Sequence, residues 1–86
     1  MRRALVLLVF LVGCEGSRPP SDACVAFVAC VAARDAARGT TTNVARFVDG
    51  DACWTAAEEG AVSCDTACAR GLEVLASAPD APDACR

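Results

Sequence analysis

DACVAFVACVAARDAAR, residues 22–38, reads as an α-helix with both ends marked. Ser21 or Asp22 can cap its first turn with a side-chain oxygen, and Gly39 stands where a helical C-terminus is expected. At about 100° per residue, Cys24, Phe27, Val28 and Val31 share one face, with Cys30 at its margin. That face is expected to be core. The stretch therefore sets the fold class as all-α and puts two cysteines on a buried helix.

Working outward, Gly39 to Asn43 (GTTTN) is a polar loop. Val44 to Val48 is expected to form a helical turn capped by Asn43 and to bury Val44, Phe47 and Val48. Asp49-Gly50-Asp51 is a turn followed by a cap. From Ala52 to Ser77 the pattern is helical again. Cys53, Ala57, Gly60, Cys64, Cys68, Gly71 and Leu75 form a stripe of small residues that would let another helix approach closely. Gly60 costs about 1 kcal/mol against Ala in a helix interior. The segment is thus one long helix or two, and a break near Glu59-Gly60 is favoured. Pro79 and Pro82 keep Ala78 to Arg86 from being helical throughout, and Cys85 is expected to pin this tail. Asp-Ala-Cys occurs three times, beginning at Asp22, Asp51 and Asp83.

The other decisive segment lies at the start. Met1-Arg2-Arg3 is positively charged, Ala4 to Val12 is a nine-residue apolar run, and Leu11-Val12-Gly13-Cys14 follows. A charged start, a short apolar run and a small residue at the cut define a secretory signal. Nine residues fall far short of the roughly 20 that a transmembrane helix needs. Leu11-Val12-Gly13-Cys14 resembles the lipobox of bacterial lipoproteins. The resemblance covers the first fourteen residues and implies cleavage after Gly13, with residues 1–13 removed, and a diacylglycerol on the Cys14 thiol. It implies a bacterial cell-envelope protein whose membrane contact runs through its N-terminal lipid. In proteobacterial lipoproteins an Asp after the lipidated Cys marks inner-membrane retention. Residue 15 is Glu, so the outer membrane is favoured over the inner. Residues 14–20, CEGSRPP, are expected to be the lipidated N-terminus and a flexible tether, with residues 21–86 the helical domain.

The seventh cysteine is thereby accounted for. Removing Cys14 leaves Cys24, Cys30, Cys53, Cys64, Cys68 and Cys85, an even number in a short exported chain, which reads as a disulfide framework. Metal is disfavoured: only Cys64 and Cys68 lie close in sequence, and the chain has no His. A domain this small needs such bridges, because its apolar core is thin. Six cysteines allow fifteen pairings. A nested set, Cys24 with Cys68, Cys30 with Cys64 and Cys53 with Cys85, would suit antiparallel helices. The expected architecture is a small disulfide-stapled helical hairpin or three-helix array.

Composition narrows the function. From Cys14 to Arg86 the chain carries six arginines against eleven acids, a side-chain charge of −5. Without a basic patch, nucleic acid is not an expected partner. With no His, Lys or Tyr beyond Cys14, the commonest general bases are missing, and no catalytic residue, cofactor site or metal site is expected. Neighbouring Glu58 and Glu59 point about 100° apart on a helix and cannot share one substrate atom. Trp54 lies about 100° off the small-residue stripe, at the edge of the core or on the surface; with so few aromatics core use is favoured, but it is the one aromatic candidate for a protein contact, with Arg38 to Asn43 the candidate contact loop. The expected function is a noncatalytic envelope lipoprotein, structural or partner-binding. The alternative is a small disulfide-framed inhibitor or immunity-type effector presenting that loop.

Overall fold

The structure is a computed structural model that describes residues 18–86. The signal segment, residues 1–13, and Leu11 to Cys14 with its proposed lipid lie outside the described residues. Three α-helices and two 3-10 turns follow one another: α1 (Asp22–Arg38), a 3-10 turn (Ala45–Phe47), α2 (Ala52–Thr55), α3 (Glu58–Ala76) and a second 3-10 turn (Asp83–Cys85). There is no strand among the described residues. The all-α, disulfide-stapled reading therefore holds, in its three-helix form.

Both expected ends of α1 are in place. The Ser21 hydroxyl accepts from the Cys24 backbone N–H at 3.2 Å. Gly39 takes the left-handed conformation, φ 69°, and its N–H donates to the Asp35 carbonyl.

The second helical segment does break, but earlier than expected. Ala56 and Ala57 are extended, and Gly60 lies inside the first turn of α3. Two forces place the break there. Glu58 and Glu59 occupy the first turn of α3, where carboxylates meet unsatisfied N–H groups and the positive end of the helix dipole. The second force is the Cys53–Cys64 bridge, with Cα atoms 6.0 Å apart. In one continuous helix those atoms would be about 16 Å apart, so the bridge and the unbroken helix exclude each other. Gly60 serves this corner by its size. A Cβ there would come within 3.3 Å of the Ala56 side chain.

α1 and α3 pack in parallel. Cys24 is bonded to Cys68, a separation of 44 residues. The Phe27 ring lies against Gly71, and Val31 lines the same groove as Leu75, so the contacts advance together along both helices. This direction corrects the nested disulfide scheme. Cys24–Cys68 is retained, but Cys30 bonds Cys85 and Cys53 bonds Cys64. In a parallel pair Cys30 lies level with the later turns of α3, far from Cys64. It also points about 120° away from Cys24 around α1, toward the C-terminal tail. Each Asp-Ala-Cys copy puts its cysteine in the first turn of a helical element, and each bridge joins one such cysteine to one inside a helix: Cys24 to Cys68, Cys53 to Cys64, Cys85 to Cys30.

The core is largely sulfur. Five of the eight buried residues among those described are cysteines. One cluster holds Cys24, Cys53, Trp54 and Cys68, flanked by Phe27 and Phe47, whose rings meet edge to face at 5.5 Å. The other joins Cys30, Ala81 and Cys85, with Leu72 and Leu75 against it, and so pins the tail. Phe47 and Val44 are half-buried, but Val48, expected in the core, is turned outward at the end of its turn.

The small-residue stripe carries a measurable consequence. A Cβ on Gly71 would sit 2.6 Å from Phe27 Cε1, and that ring is held by Phe47. Gly71→Ala gains about 1 kcal/mol of helix propensity but overpacks the seam at a cost of about 1–3 kcal/mol. The expected outcome is a lower thermal midpoint for Gly71→Ala, a further drop for Gly71→Val, and a smaller change for Gly60→Ala. A Gly71→Val midpoint equal to or above that of the wild type would contradict the close seam.

Candidate functional site

Three regions qualify: the loop after α1, the indole of Trp54, and the clefts beside α3. The loop is tied to the helix it leaves. Asp35, in the last turn of α1, accepts from the Thr40 hydroxyl at 2.8 Å, the Thr42 N–H at 2.8 Å and the Thr42 hydroxyl at 3.0 Å. Chiefly through the Thr40 hydroxyl, these donors hold the Asp35 carboxyl below its ordinary value of 3.8. At the end of α1, Arg38 pairs with Asp80 at 3.1 Å on the surface, and its hydrogen bond lowers the Asp80 carboxyl in the same sense. The candidate contact segment Arg38 to Asn43 is thus exposed and held in one shape, with Arg38, Thr40 and Thr42 engaged inside the protein.

The acid response follows from the sign of that shift. A carboxyl lowered in the folded state contributes order that is fully present above its unfolded value and is lost as pH falls through its lower folded value. The Thr42 amide is expected to be protected from hydrogen exchange near neutrality and to lose protection below pH 3.8. In Asp35→Ala it should be unprotected throughout. A Thr42 amide that exchanges freely in the wild type at neutral pH would contradict the tie.

Trp54 is not a surface anchor. It is 2% exposed, and its Nε1–H donates to the Phe47 carbonyl at 2.9 Å. Of the two places open to it from the stripe, core edge or surface, the structure gives it the favoured core. The break at Ala56-Ala57 frees α2 to turn independently, so Cys53 and Trp54 both face inward. Trp54 therefore closes the core, and the loop remains the only one of the two proposed contact elements that lies at the surface.

Arg18, like Asp35, is a residue to which the sequence assigns no role. α2 is four residues long, and its end leaves backbone carbonyls without helical partners. The Arg18 N–H donates to the Trp54 carbonyl at 3.0 Å, and its Nη1 donates to the Ala56 carbonyl at 3.1 Å. Arg18, inside the segment expected to be tether, is thus part of the packed body. No local signal in Ser17-Arg18-Pro19-Pro20 announces this, because the acceptors exist only once α2 has ended.

Of the open depressions beside α3, two involve Arg18 or the seam with α1. One, of about 540 Å³, lies between Arg18, Trp54, Glu58, Val62 and Asp65. The other, of about 350 Å³, is an apolar groove along the seam, floored by Phe27, Val31, Gly71 and Leu75 with Arg34 at its side. Among the described residues no three side chains of His, Cys, Asp or Glu gather as a metal ion would require, and all six cysteines are in disulfides. Glu58 and Glu59 are both exposed. No helix among the described residues is long and apolar enough to cross a membrane. Compared with known proteins, the chain matches no family model, no curated protein and no solved structure.

Proposed function

We propose that this chain is a noncatalytic lipoprotein of the bacterial cell envelope, a small disulfide-stapled helical module held on a membrane, with the outer membrane favoured. The observation that carries the reading is Leu11-Val12-Gly13-Cys14 after a charged, short apolar start. The cysteine arithmetic supports it. The six cysteines from Cys24 to Cys85 are engaged with one another, which leaves none of them for Cys14. The acyl chains supply the membrane affinity. Each buried methylene contributes about 0.8 kcal/mol, and stable anchoring takes more than one chain. The net acidic character adds no second grip on anionic lipid. The role is structural or partner-binding, without nucleic acid, cofactor or catalytic step.

Mass spectrometry of the protein from its native type of host is expected to show a chain beginning at Cys14 and carrying lipid. Cys14→Ser should release the protein from membranes or leave the precursor uncut. A mature N-terminus elsewhere, without lipid, would remove the reading. A second reading, a disulfide-framed inhibitor or immunity-type effector, draws on the loop Arg38 to Asn43, which Asp35 preorganises and so spares part of the ordering cost of binding. Capture of a soluble enzyme rather than an envelope component from detergent-solubilised envelope, lost on Asp35→Ala, would favour it.

A further inference from the structure

We infer that the domain is held with the start of α3 against the lipid headgroup layer, so that the surface around Val62 faces the bilayer and the surface around Val74 faces away. This rests on lipidation at Cys14. The observation that carries it is the attachment of Arg18 to the α2–α3 corner by two hydrogen bonds, through its N–H to the Trp54 carbonyl and its guanidinium to the Ala56 carbonyl. Pro19 and Pro20 follow, with φ fixed by their rings, and lead directly to Ser21, the cap of α1. From Arg18 onward the chain belongs to the packed body.

Only residues 15–17 separate Arg18 from Cys14. Four residue steps, fully extended, reach about 14 Å. A lipid-bearing cysteine sits at the edge of the hydrocarbon, and the headgroup layer above it takes up about 5–7 Å of that reach. Arg18 is thereby confined to within roughly 10 Å of the membrane surface, less than half the length of α3, whose 19 residues span about 28 Å. Val62 lines the same cleft as Arg18. Val74 lies on the same helix about 18 Å further along. Both are well exposed, 58% and 70%. Glu58 and Asp65 share the cleft with Arg18, so charge does not draw this face to anionic lipid. The short link holds it there, and the occupant is the headgroup surface into which the Cys14 lipid inserts.

The absence of lysine from the chain supplies the test, because one introduced lysine is the only ε-amine. Val62→Lys and Val74→Lys are prepared in the full, lipidated chain and placed in phosphatidylcholine vesicles. Each is treated with a bulky, membrane-impermeant amine reagent, and labelling is read at the lysine peptide. The rate ratio, position 62 over position 74, cancels molecules on the inner leaflet. It is compared with the ratio for the Cys14→Ser forms in solution. The expected result is a several-fold lower ratio on vesicles, restored when about ten Gly/Ser residues, spanning about 17 Å on average, are inserted between Ser17 and Arg18. Should Val62→Lys disturb the helical circular dichroism, Glu59→Lys carries the same comparison. Equal ratios in a protein that floats with the vesicles would overturn the orientation and leave the lipid anchor standing. Failure to float, with no lipid on Cys14, would overturn both.

Discussion

Replacing Cys24 and Cys68 together by alanine is expected to unfold the domain near room temperature. The bridge spans 44 residues, and closing a loop of that length stabilises by about 4 kcal/mol through the unfolded chain. A single small core supplies only about 3–5 kcal/mol in all. Both sulfurs are fully buried in the cluster that includes Trp54, so the alanines also leave a void where the two long helices meet. The Cys53–Cys64 bridge spans 11 residues, and its removal should cost about 3 kcal/mol by the same relation. Cys30–Cys85 spans 55 residues, but with Cys24–Cys68 intact the loop it closes is short-circuited through that first bridge. Its loss should therefore fall nearer that of Cys53–Cys64 and should free the tail before the helices. Thermal melts followed by far-ultraviolet circular dichroism rank the three. A Cys24→Ala, Cys68→Ala protein that melts like the wild type would contradict the central place given to that bridge.

Trp54→Ala should be comparably severe, at about 3–5 kcal/mol, because truncating a buried aromatic removes transfer energy and leaves a cavity. The indole is also one end of a hydrogen bond to the Phe47 carbonyl. Trp54→Phe keeps most of the volume and loses that donor, so it should cost about 1–3 kcal/mol, the penalty for an unsatisfied carbonyl in a partly buried site. The order wild type, Trp54→Phe, Trp54→Ala should appear in thermal midpoints. Wild-type fluorescence should be blue-shifted and resistant to iodide. Emission typical of water, readily quenched, with a Trp54→Ala protein of unchanged stability, would return Trp54 to the surface.

Sequence and structure agree on the Cys24–Cys68 bridge and part over the other two. α1 was legible to the residue because its signals are local: Ser21, the periodic face of Cys24, Phe27, Val28 and Val31, and Gly39. The even cysteine count and the small stripe from Cys64 to Leu75 were legible for the same reason. The direction of α3 was not, because a stripe records that a neighbour comes close but not which way it runs. Parallel packing depends on the crossover through Ala45–Phe47 and α2, whose course is set by tertiary contacts. From the wrong direction followed the wrong partners for Cys30 and Cys53. Trp54 falls in the core, as the scarcity of aromatics favours, and only its secondary candidacy as a contact residue is lost. Arg18 was out of reach altogether, since the carbonyls it satisfies belong to a helix end that no local pattern specifies. Asp35 was missed though an Asp in a last turn before Gly-Thr-Thr-Thr is well placed to gather hydroxyl donors.

Disulfide mapping under non-reducing conditions tests the parallel, stapled array most directly. Cleavage after Phe27 separates Cys24 from Cys30, cleavage after Glu58 or Glu59 separates Cys53 from Cys64, and cleavage before Asp65 separates Cys64 from Cys68. The expected linked peptides join Cys24 to Cys68, Cys30 to Cys85 and Cys53 to Cys64, with no alkylatable thiol among the six. Peptides joining Cys30 to Cys64 and Cys53 to Cys85 would restore the antiparallel hairpin and contradict the fold described.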